Sequence, residues 1–254
     1  MSNICSKILD SFSSKKGQIA VLIDPEKTNS SEQLKRLVKK SHLAGASYFF
    51  VGGSTVTRDQ FQSVTRVLKK ISKIPIVIFP GSNHQLSKDA DGILFLSLLS
   101  GRNPEYLIGQ HIESAEEVLH LGIEVLPTSY ILVDGGRKSS VAYVSQTSPI
   151  PSNQHGIAVK TAVAGHLQGK KITYFDAGSG AIESVPPQII STLNNQIQTV
   201  SIVGGGIRSI NDIVELEKAG TNVIVIGNKI EEDIDFLLDI KNHLNKSKSQ
   251  KQPN

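Results

Sequence analysis

Cysteine is nearly absent from this chain: Cys5 is the only one among 254 residues. A single cysteine excludes a disulfide framework and any zinc site built on two or more cysteines. It is also typical of a reducing compartment, so we expect a cytoplasmic protein. Tryptophan is absent and aromatic residues make up only 5% of the chain, at a net charge of +4. This composition does not favour a nucleic-acid partner, which a basic stripe with interleaved aromatic residues would indicate.

Long apolar runs are absent as well. No stretch approaches the roughly 20 apolar residues that a transmembrane segment needs, and residues 1–16 lack the apolar centre of a signal peptide. Hydrophobic residues nevertheless make up 39% of the chain, which predicts a folded rather than a disordered protein. The basic stretch 246–254 contains no apolar anchor and is predicted to be a disordered tail. We therefore expect one domain over residues 1–245.

Eight short apolar runs, rich in β-branched residues, recur along the chain. They cover residues 19–23, 48–51, 76–79, 92–96, 123–126, 172–175, 200–203 and 223–226. Continuous apolar runs of this length are typical of strands that are buried on both faces of a parallel sheet. Stretches with helical spacing separate most of them. Eight βα units within about 250 residues predict an α/β fold, a TIM (β/α)8 barrel.

Two connections depart from this regular alternation. Residues 81–91, between the third and fourth strands, carry no amphipathic pattern, so we expect the third helix to be reduced or missing. Residues 133–154 form a long insertion after the fifth strand. Connections this long in a compact domain are often functional.

Glycine-rich segments follow the last three strands, at residues 176–181, 204–207 and 227–228. In such barrels the active site lies at the carboxyl ends of the strands, and loops after the last strands commonly bind phosphate. Glycine lets the backbone N–H groups approach an anion closely. One such loop is explained equally well by a simple turn, but three neighbouring loops favour a phosphate site.

Acidic residues stand at two other strand ends. Asp24, followed by Pro25, could hold Mg²⁺ together with the hydroxyl of Ser54, or it could simply form a turn. Asp176 could act as a general base beside the phosphate loop, or it could cap that loop. Tyr174, two residues earlier on the same strand face, could bind a ligand hydroxyl or fill the barrel.

Segments spread over most of the chain carry a resemblance to a known family. They are residues 24–27, 51–54, 78–81, 100–110, 127–136, 174–181, 203–207 and 227–228. Together they resemble the geranylgeranylglyceryl phosphate synthase family, which includes the bacterial heptaprenylglyceryl phosphate synthases, from about residue 17 to about residue 243. The blocks at 101–106 and at Tyr130 resemble the second group of that family, which forms the larger oligomers.

The resemblance implies a Mg²⁺-dependent prenyltransferase with a modified TIM barrel whose third helix is degenerate, and a homo-oligomer. Asp24 and Ser54 would hold Mg²⁺, and a set of residues on the last three strands would bind sn-glycerol 1-phosphate. That set is Tyr174, Phe175, Asp176, Ala177, Gly178, Ser179, Gly180, Gly205, Gly206, Gly227 and Asn228.

The implied reaction is attack of the primary hydroxyl of glycerol 1-phosphate on C1 of a polyprenyl diphosphate. Asp176 would accept the proton of this hydroxyl, and Asp24 would contribute to catalysis by holding Mg²⁺. The family usually has glutamate at the position of Asp176, so this carboxylate is one methylene shorter.

Two other functions fit a phosphate-binding barrel. One is a different enzyme, of the sugar-phosphate isomerase or thiamin-phosphate synthase type, which needs no long apolar groove. The other is a phosphate-sensing barrel without catalysis, which would bind glycerol phosphate but release no diphosphate.

Overall fold

A closed barrel of eight parallel strands forms the centre of the molecule. The computed structural model describes residues 7–28 and 30–249, so that Cys5 and the end of the expected tail lie outside the described residues. Each strand pairs with the next in sequence, and β8 closes the barrel on β1. The strands are β1 (Gln18–Ile23), β2 (Tyr48–Val51), β3 (Ile76–Ile78), β4 (Gly92–Leu98), β5 (Glu124–Leu132), β6 (Ile172–Asp176), β7 (Val200–Gly204) and β8 (Val223–Ile226). The predicted fold class is confirmed.

Helices surround the barrel. They are α1 (Lys7–Ser14), α2 (Ser31–Ala44), α3 (Arg58–Ile71), α4 (Gln110–Leu121), α5 (Ser140–Ser145), α6 (His155–Leu167), α7 (Pro187–Asn194), α8 (Ile210–Lys218), α9 (Asn228–Glu232) and α10 (Phe236–Ser249), with a π-helical turn (Glu105–Gly109) before α4. No described helix is long and apolar enough to cross a membrane. The last helix continues past residue 245, where the sequence predicts the domain to end.

Two apolar layers hold the barrel together, one inside it and one between the strands and the helices. Each strand contributes to both layers, because its successive residues point to opposite faces. On β6, Tyr174 belongs to the inner cluster that fills the barrel, whereas Phe175 belongs to the outer cluster between the strands and the helices. Both side chains are almost fully buried. The same alternation on every strand fixes which residues face the interior.

One helix of the regular pattern is missing, as the sequence predicts. Within the described residues no helix lies between β3 and β4. The fully buried side chain of Gln85 holds this loop instead: its Nε2 donates to the carbonyl of Gly53 at 2.7 Å, and its Oε1 accepts from the amide of Gly81 at 3.0 Å. The absent helix leaves room beside β4.

The amino end of the barrel is closed by α1, which the strand and helix patterns do not predict. The carboxylate of Glu124 accepts hydrogen bonds from the amides of Ile8 and Leu9, at 2.7 and 3.0 Å. Phe12 is fully buried and packs edge-on against Tyr48, with 4.7 Å between ring centroids. The carboxyl ends of the strands are therefore the end at which a ligand can enter.

Other boundaries differ from the prediction for physical reasons. β5 extends to Leu132 because Thr128 and Ser129 are buried in the strand although they are polar. The segment after β8 forms two helices and not one, because Asp233 has extended backbone angles that end α9 before α10 begins. The long insertion contains the short helix α5, and its two ends pair at Val133 and Ile150.

Candidate active site

A cavity of about 260 Å³ opens at the carboxyl end of the barrel. Most of the predicted site residues line it: Asp24, Ser54, Tyr174, Asp176, Gly178, Ser179, Gly205, Gly206, Gly227 and Asn228. They come from the ends of β1, β2, β6, β7 and β8, which the closed barrel brings to one face. This is the face at which TIM barrels carry their active sites.

Asp176 ends β6 and lines this cavity, and it is only 7% exposed. Its Oδ1 accepts a hydrogen bond from the amide of Gly178 at 2.8 Å. Its Oδ2 accepts one from the hydroxyl of Tyr130 at 2.5 Å. Burial raises the pKa of Asp176, and the two hydrogen bonds oppose that shift. A buried carboxylate with a raised pKa is suited to act as a general base.

Three aromatic rings lie beside this carboxylate. Tyr174 stacks on Phe79 with 5.1 Å between centroids, and Tyr130 meets Tyr174 edge-on at 5.5 Å. Burial raises the pKa of both tyrosines well above the ordinary value, so both hydroxyls are neutral at physiological pH. Tyr130 lies in one of the segments that carry the family resemblance, but its residue type alone gave no sign that it contacts Asp176.

The glycine loops pack closely enough that a side chain would not fit. Gly205 has φ of +80°, and a Cβ there would lie 2.7 Å from the amide nitrogen of Gly178 and 2.8 Å from Oδ1 of Asp176. Asn228 ties the loops after β6 and β8 together, because its Oδ1 accepts from the amide of Gly180 at 2.8 Å. The loops after β6, β7 and β8 thus form one connected rim.

Three of the residues that the resemblance implies for glycerol phosphate are not part of the cavity lining. The side chains of Phe175 and Ala177 lie in the outer apolar cluster, and the amide of Ala177 donates to the carbonyl of Gly204 at 3.0 Å. The amide of Gly180 is engaged by Asn228. Phe175 and Ala177 therefore support the loop by packing, and their side chains do not reach a ligand in the cavity.

Asp24 and Ser54 lie on the opposite side of the cavity. Oδ1 of Asp24 accepts from the amide of Glu26 at 3.0 Å, and burial raises the pKa of Asp24. A Cβ on Gly53 would lie 2.9 Å from the same Oδ1, so the loop that carries Ser54 runs against the carboxylate. Among the described residues no cluster of three or more acidic, histidine or cysteine side chains could hold a metal. A carboxylate and a hydroxyl facing an open cavity nevertheless fit Mg²⁺, which usually keeps water and takes phosphate oxygens as its other ligands.

Three cations that the sequence interpretation missed line the same cavity: Lys27, Arg208 and Lys229. Each pairs with a carboxylate on or next to α9. The distances are 2.8 Å from Lys27 to Glu231, 3.1 Å from Arg208 to Glu232 and 3.7 Å from Lys229 to Asp233. All three follow a strand end within a few residues, which is the signal that could have identified them.

A second cavity, of about 100 Å³, continues from the first where the third helix is missing. Its lining is largely apolar and includes Leu86, Ile93, Phe95, Leu98 and Val144. The two cavities share the residues Ser54, Pro80, Gly81, Leu96, Tyr130 and Val141. A polar chamber with glycine loops therefore adjoins an apolar channel, and Tyr130 stands at their junction.

The chain is similar in sequence and in fold to members of one protein family. The model of the PcrB family matches residues 13–244. The chain is 43% identical over 236 residues to a geranylgeranylglyceryl phosphate synthase of Chitinophaga pinensis, covering 91% of this chain and 93% of that protein. It is 41% identical over 231 residues to the protein of the same name from Zunongwangia profunda, covering 91% and 98%.

Among solved structures, the chain is similar to (S)-3-O-geranylgeranylglyceryl phosphate synthase from Thermoplasma acidophilum in complex with its substrate sn-glycerol-1-phosphate. The TM-score is 0.86 at 28% identity, and the match covers 95% of this chain and 96% of that one.

Proposed function

The chain belongs to the PcrB family, and we propose that it transfers a prenyl group from a polyprenyl diphosphate to the hydroxyl of sn-glycerol 1-phosphate. The products are an ether-linked prenylglyceryl phosphate and diphosphate. The observation that carries this proposal is the junction of the glycine-lined polar cavity with the apolar one. A reaction between a phosphorylated polar acceptor and an apolar donor needs both chambers to meet at one point.

The polar chamber would hold the acceptor. Gly205 and Gly206 line it with φ of +80° and +68°, and because they carry no side chain their backbone N–H groups can approach an anion closely. The amides of Ala177, Gly178 and Gly180 already donate within the protein. We therefore assign the phosphate to the loops after β7 and β8, with the glycerol hydroxyl directed toward Asp176.

The apolar chamber would hold the prenyl chain. Covering each buried CH₂ of such a chain contributes about 0.8 kcal/mol, so even a few isoprene units bind through this term alone. The chamber adjoins the polar cavity at Ser54 and Tyr130. We therefore expect the head of the donor to lie between Asp24 and Asp176.

Asp24 and Ser54 would hold Mg²⁺ at the head of the donor. When bound there, the cation supplies positive charge to the leaving diphosphate. Lys27, which lies 3.9 Å from Oδ2 of Asp24, can offer a further charge to the same anion.

Asp176 would be the base of the reaction, the group that ends with the proton as the acceptor oxygen forms its bond to C1 of the prenyl chain. Fixing the acceptor through its phosphate holds the hydroxyl near C1 and reduces the entropy that the reaction must lose. The surrounding rings of Phe79, Tyr130 and Tyr174 limit the access of water to the reacting carbon.

The two other functions leave part of this structure without a role. A sugar-phosphate isomerase or a thiamin-phosphate synthase type of enzyme does not need the apolar chamber beside β4. A phosphate sensor does not need a buried carboxylate with a raised pKa next to the ligand. The prenyl transfer uses both features.

Release of diphosphate tests the proposed function. We expect the purified protein with Mg²⁺ to release diphosphate only when sn-glycerol 1-phosphate and geranylgeranyl diphosphate are both present. Reactions that omit one substrate serve as controls. No release with both substrates would support a phosphate sensor, and equal release without the acceptor would indicate a hydrolase.

We predict that Gly205→Ala weakens the binding of sn-glycerol 1-phosphate by about tenfold or more. The added Cβ would meet the loop after β6 at under 3 Å, and the positive φ would be strained. Gly169→Ala is the matched control, because Gly169 has φ of +88° with nothing within 4 Å of its Cβ position. Calorimetry on both folded variants measures the effect. If both variants bind the acceptor equally well, the phosphate does not lie at Gly205.

The sequence resemblance to the group with larger oligomers also leads us to propose a cytoplasmic homo-oligomer. The outer face of α4 supports this proposal, since Ile112, Ala115 and Leu119 are exposed at the spacing i, i+3 and i+7. Ile112 and Leu119 are 67% and 75% exposed, which is unfavourable on a surface that faces only water.

We predict that Leu119→Glu shifts the protein to a smaller species in light scattering. A charge placed in an apolar contact has to be desolvated, and this disfavours association. Leu43→Glu changes an isolated exposed leucine on α2 and should leave the mass unchanged. An unchanged mass for Leu119→Glu would show that α4 does not form the contact between subunits.

A further inference from the structure

Both carboxylate oxygens of the base in the proposed reaction already accept a hydrogen bond from the protein. Oδ1 of Asp176 accepts from the amide of Gly178 at 2.8 Å, and Oδ2 accepts from the hydroxyl of Tyr130 at 2.5 Å. Asp176 lines the polar cavity and is 7% exposed. Each oxygen thus directs one lone pair at a protein donor.

Tyr130 is the residue between this carboxylate and the place where the substrates meet. It lines both cavities, whereas Asp176 lines only the polar one. Its ring is held by edge-on contacts with Phe79 and Tyr174, at 5.8 and 5.5 Å between centroids. Its hydroxyl is therefore held in the hydrogen bond to Asp176 by a ring that lines both cavities.

We propose that Tyr130 relays the proton of the reaction, taking it from the acceptor hydroxyl while giving its own proton to Asp176. The proposal rests on the proposed prenyl transfer. The acceptor oxygen forms its bond to C1 of the prenyl chain, and the C1–O bond to diphosphate breaks with its electron pair. The proton of the acceptor hydroxyl goes to Oη of Tyr130, and the proton of Tyr130 goes to Oδ2 of Asp176. Tyrosine ends neutral, aspartate ends protonated, and no other reagent is needed.

The electrostatic surroundings agree with a relay in which both protons move together. Burial and the neighbouring carboxylate raise the pKa of the Tyr130 hydroxyl well above its ordinary value, so a free tyrosinate is costly at this position. The tyrosine must therefore receive one proton as it gives up the other. Burial also raises the pKa of Asp176, which makes this carboxylate a better acceptor for the relayed proton.

A double-mutant cycle separates the relay from a packing role. Tyr130→Phe keeps the ring and removes the hydroxyl, so we expect single-turnover rates about 100-fold lower, at the lower end of the range for proton transfer by a positioned group. Affinity for sn-glycerol 1-phosphate should stay within about threefold, because the ring contacts remain. In the Asp176→Glu background the longer carboxylate can reach the acceptor directly. In that background Tyr130→Phe should lower the single-turnover rate by less than about tenfold.

Two controls complete the test. Tyr48→Phe removes another buried tyrosine hydroxyl, which donates to Gln18 at 3.0 Å at the amino end of the barrel, and it should alter thermal stability without altering the rate. Single-turnover rates of the unmodified enzyme in mixtures of H₂O and D₂O should follow a curved, two-proton dependence.

Three results would each overturn the relay. Tyr130→Phe could lower the single-turnover rate equally in both backgrounds, or lower the rate of the otherwise unmodified enzyme by less than threefold. The rate could also depend linearly on the D₂O fraction. If Asp176→Glu itself is inactive, the isotope dependence decides. Absence of diphosphate release from the unmodified enzyme would instead contradict the proposed function.

Discussion

Replacing Asp176 with asparagine is expected to slow the chemical step about 10²–10⁴-fold, the usual contribution of a positioned general base. Asparagine has nearly the same shape and keeps an oxygen for the amide of Gly178, so the loop after β6 should remain in place. The variant should therefore bind sn-glycerol 1-phosphate almost as well as the unmodified protein. Single-turnover kinetics at saturating substrates measure the rate, and calorimetry measures the affinity.

The dependence on pH gives a second readout of the same residue. A base must be unprotonated to accept a proton, so the rate should fall as the pH drops through the pKa of Asp176. Burial raises that pKa above the ordinary value of 3.8, so the fall should lie at a higher pH than for an exposed aspartate. Asp176→Asn should lack this dependence. A rate close to that of the unmodified enzyme would leave Asp176 with only a structural role.

Replacing Asp24 with asparagine is expected to lower turnover by about 100-fold or more, because metal charge at a leaving group contributes several kcal/mol to such a reaction. The substitution removes one negative charge from the two oxygen ligands, Asp24 and Ser54, that we propose for Mg²⁺. The amide oxygen still accepts from Glu26, so the turn after β1 is kept. The dependence of the rate on Mg²⁺ concentration should also shift to higher concentrations.

Asp134→Asn is the matched control for this change. Asp134 also follows a strand, and its Oδ1 accepts from the amide two residues later, at 2.9 Å, as Asp24 does. It lines neither cavity, so its replacement should leave turnover unchanged. Near-normal activity of Asp24→Asn at limiting Mg²⁺ would show that Asp24 does not hold the metal.

The barrel could be predicted because its strands are continuous apolar runs, and the missing helix because residues 81–91 lack any amphipathic pattern. The full length of β5 could not be predicted from the sequence. Pro127, Thr128 and Ser129 interrupt its apolar run, and they are accommodated by tertiary contacts: Ser129 lies against Gly165, where a Cβ would be 2.0 Å from its Oγ. The helix α1 was missed because its amino end is capped by Glu124, far away in the sequence.

The site could be predicted wherever a residue type at a strand end carries its own chemistry, as with Asp24, Asp176 and the glycine loops. The contact between Tyr130 and Asp176 joins neighbouring strands and depends on their register, with Leu132 opposite Asp176 and Tyr130 opposite Tyr174. A single sequence does not encode register in any local pattern. The outward direction of Phe175, by contrast, follows from the alternation along β6 alone, because Tyr174 faces the interior of the barrel.

Identification of the product tests the central claim most directly. The protein is incubated with Mg²⁺, sn-glycerol 1-phosphate and geranylgeranyl diphosphate, and the lipid product is analysed by mass spectrometry alongside the diphosphate released. We predict one geranylgeranylglyceryl phosphate, linked by an ether bond, for each diphosphate. Diphosphate accompanied by free prenyl alcohol, or no diphosphate at all, would contradict the claim that the two cavities join an acceptor hydroxyl to a prenyl chain.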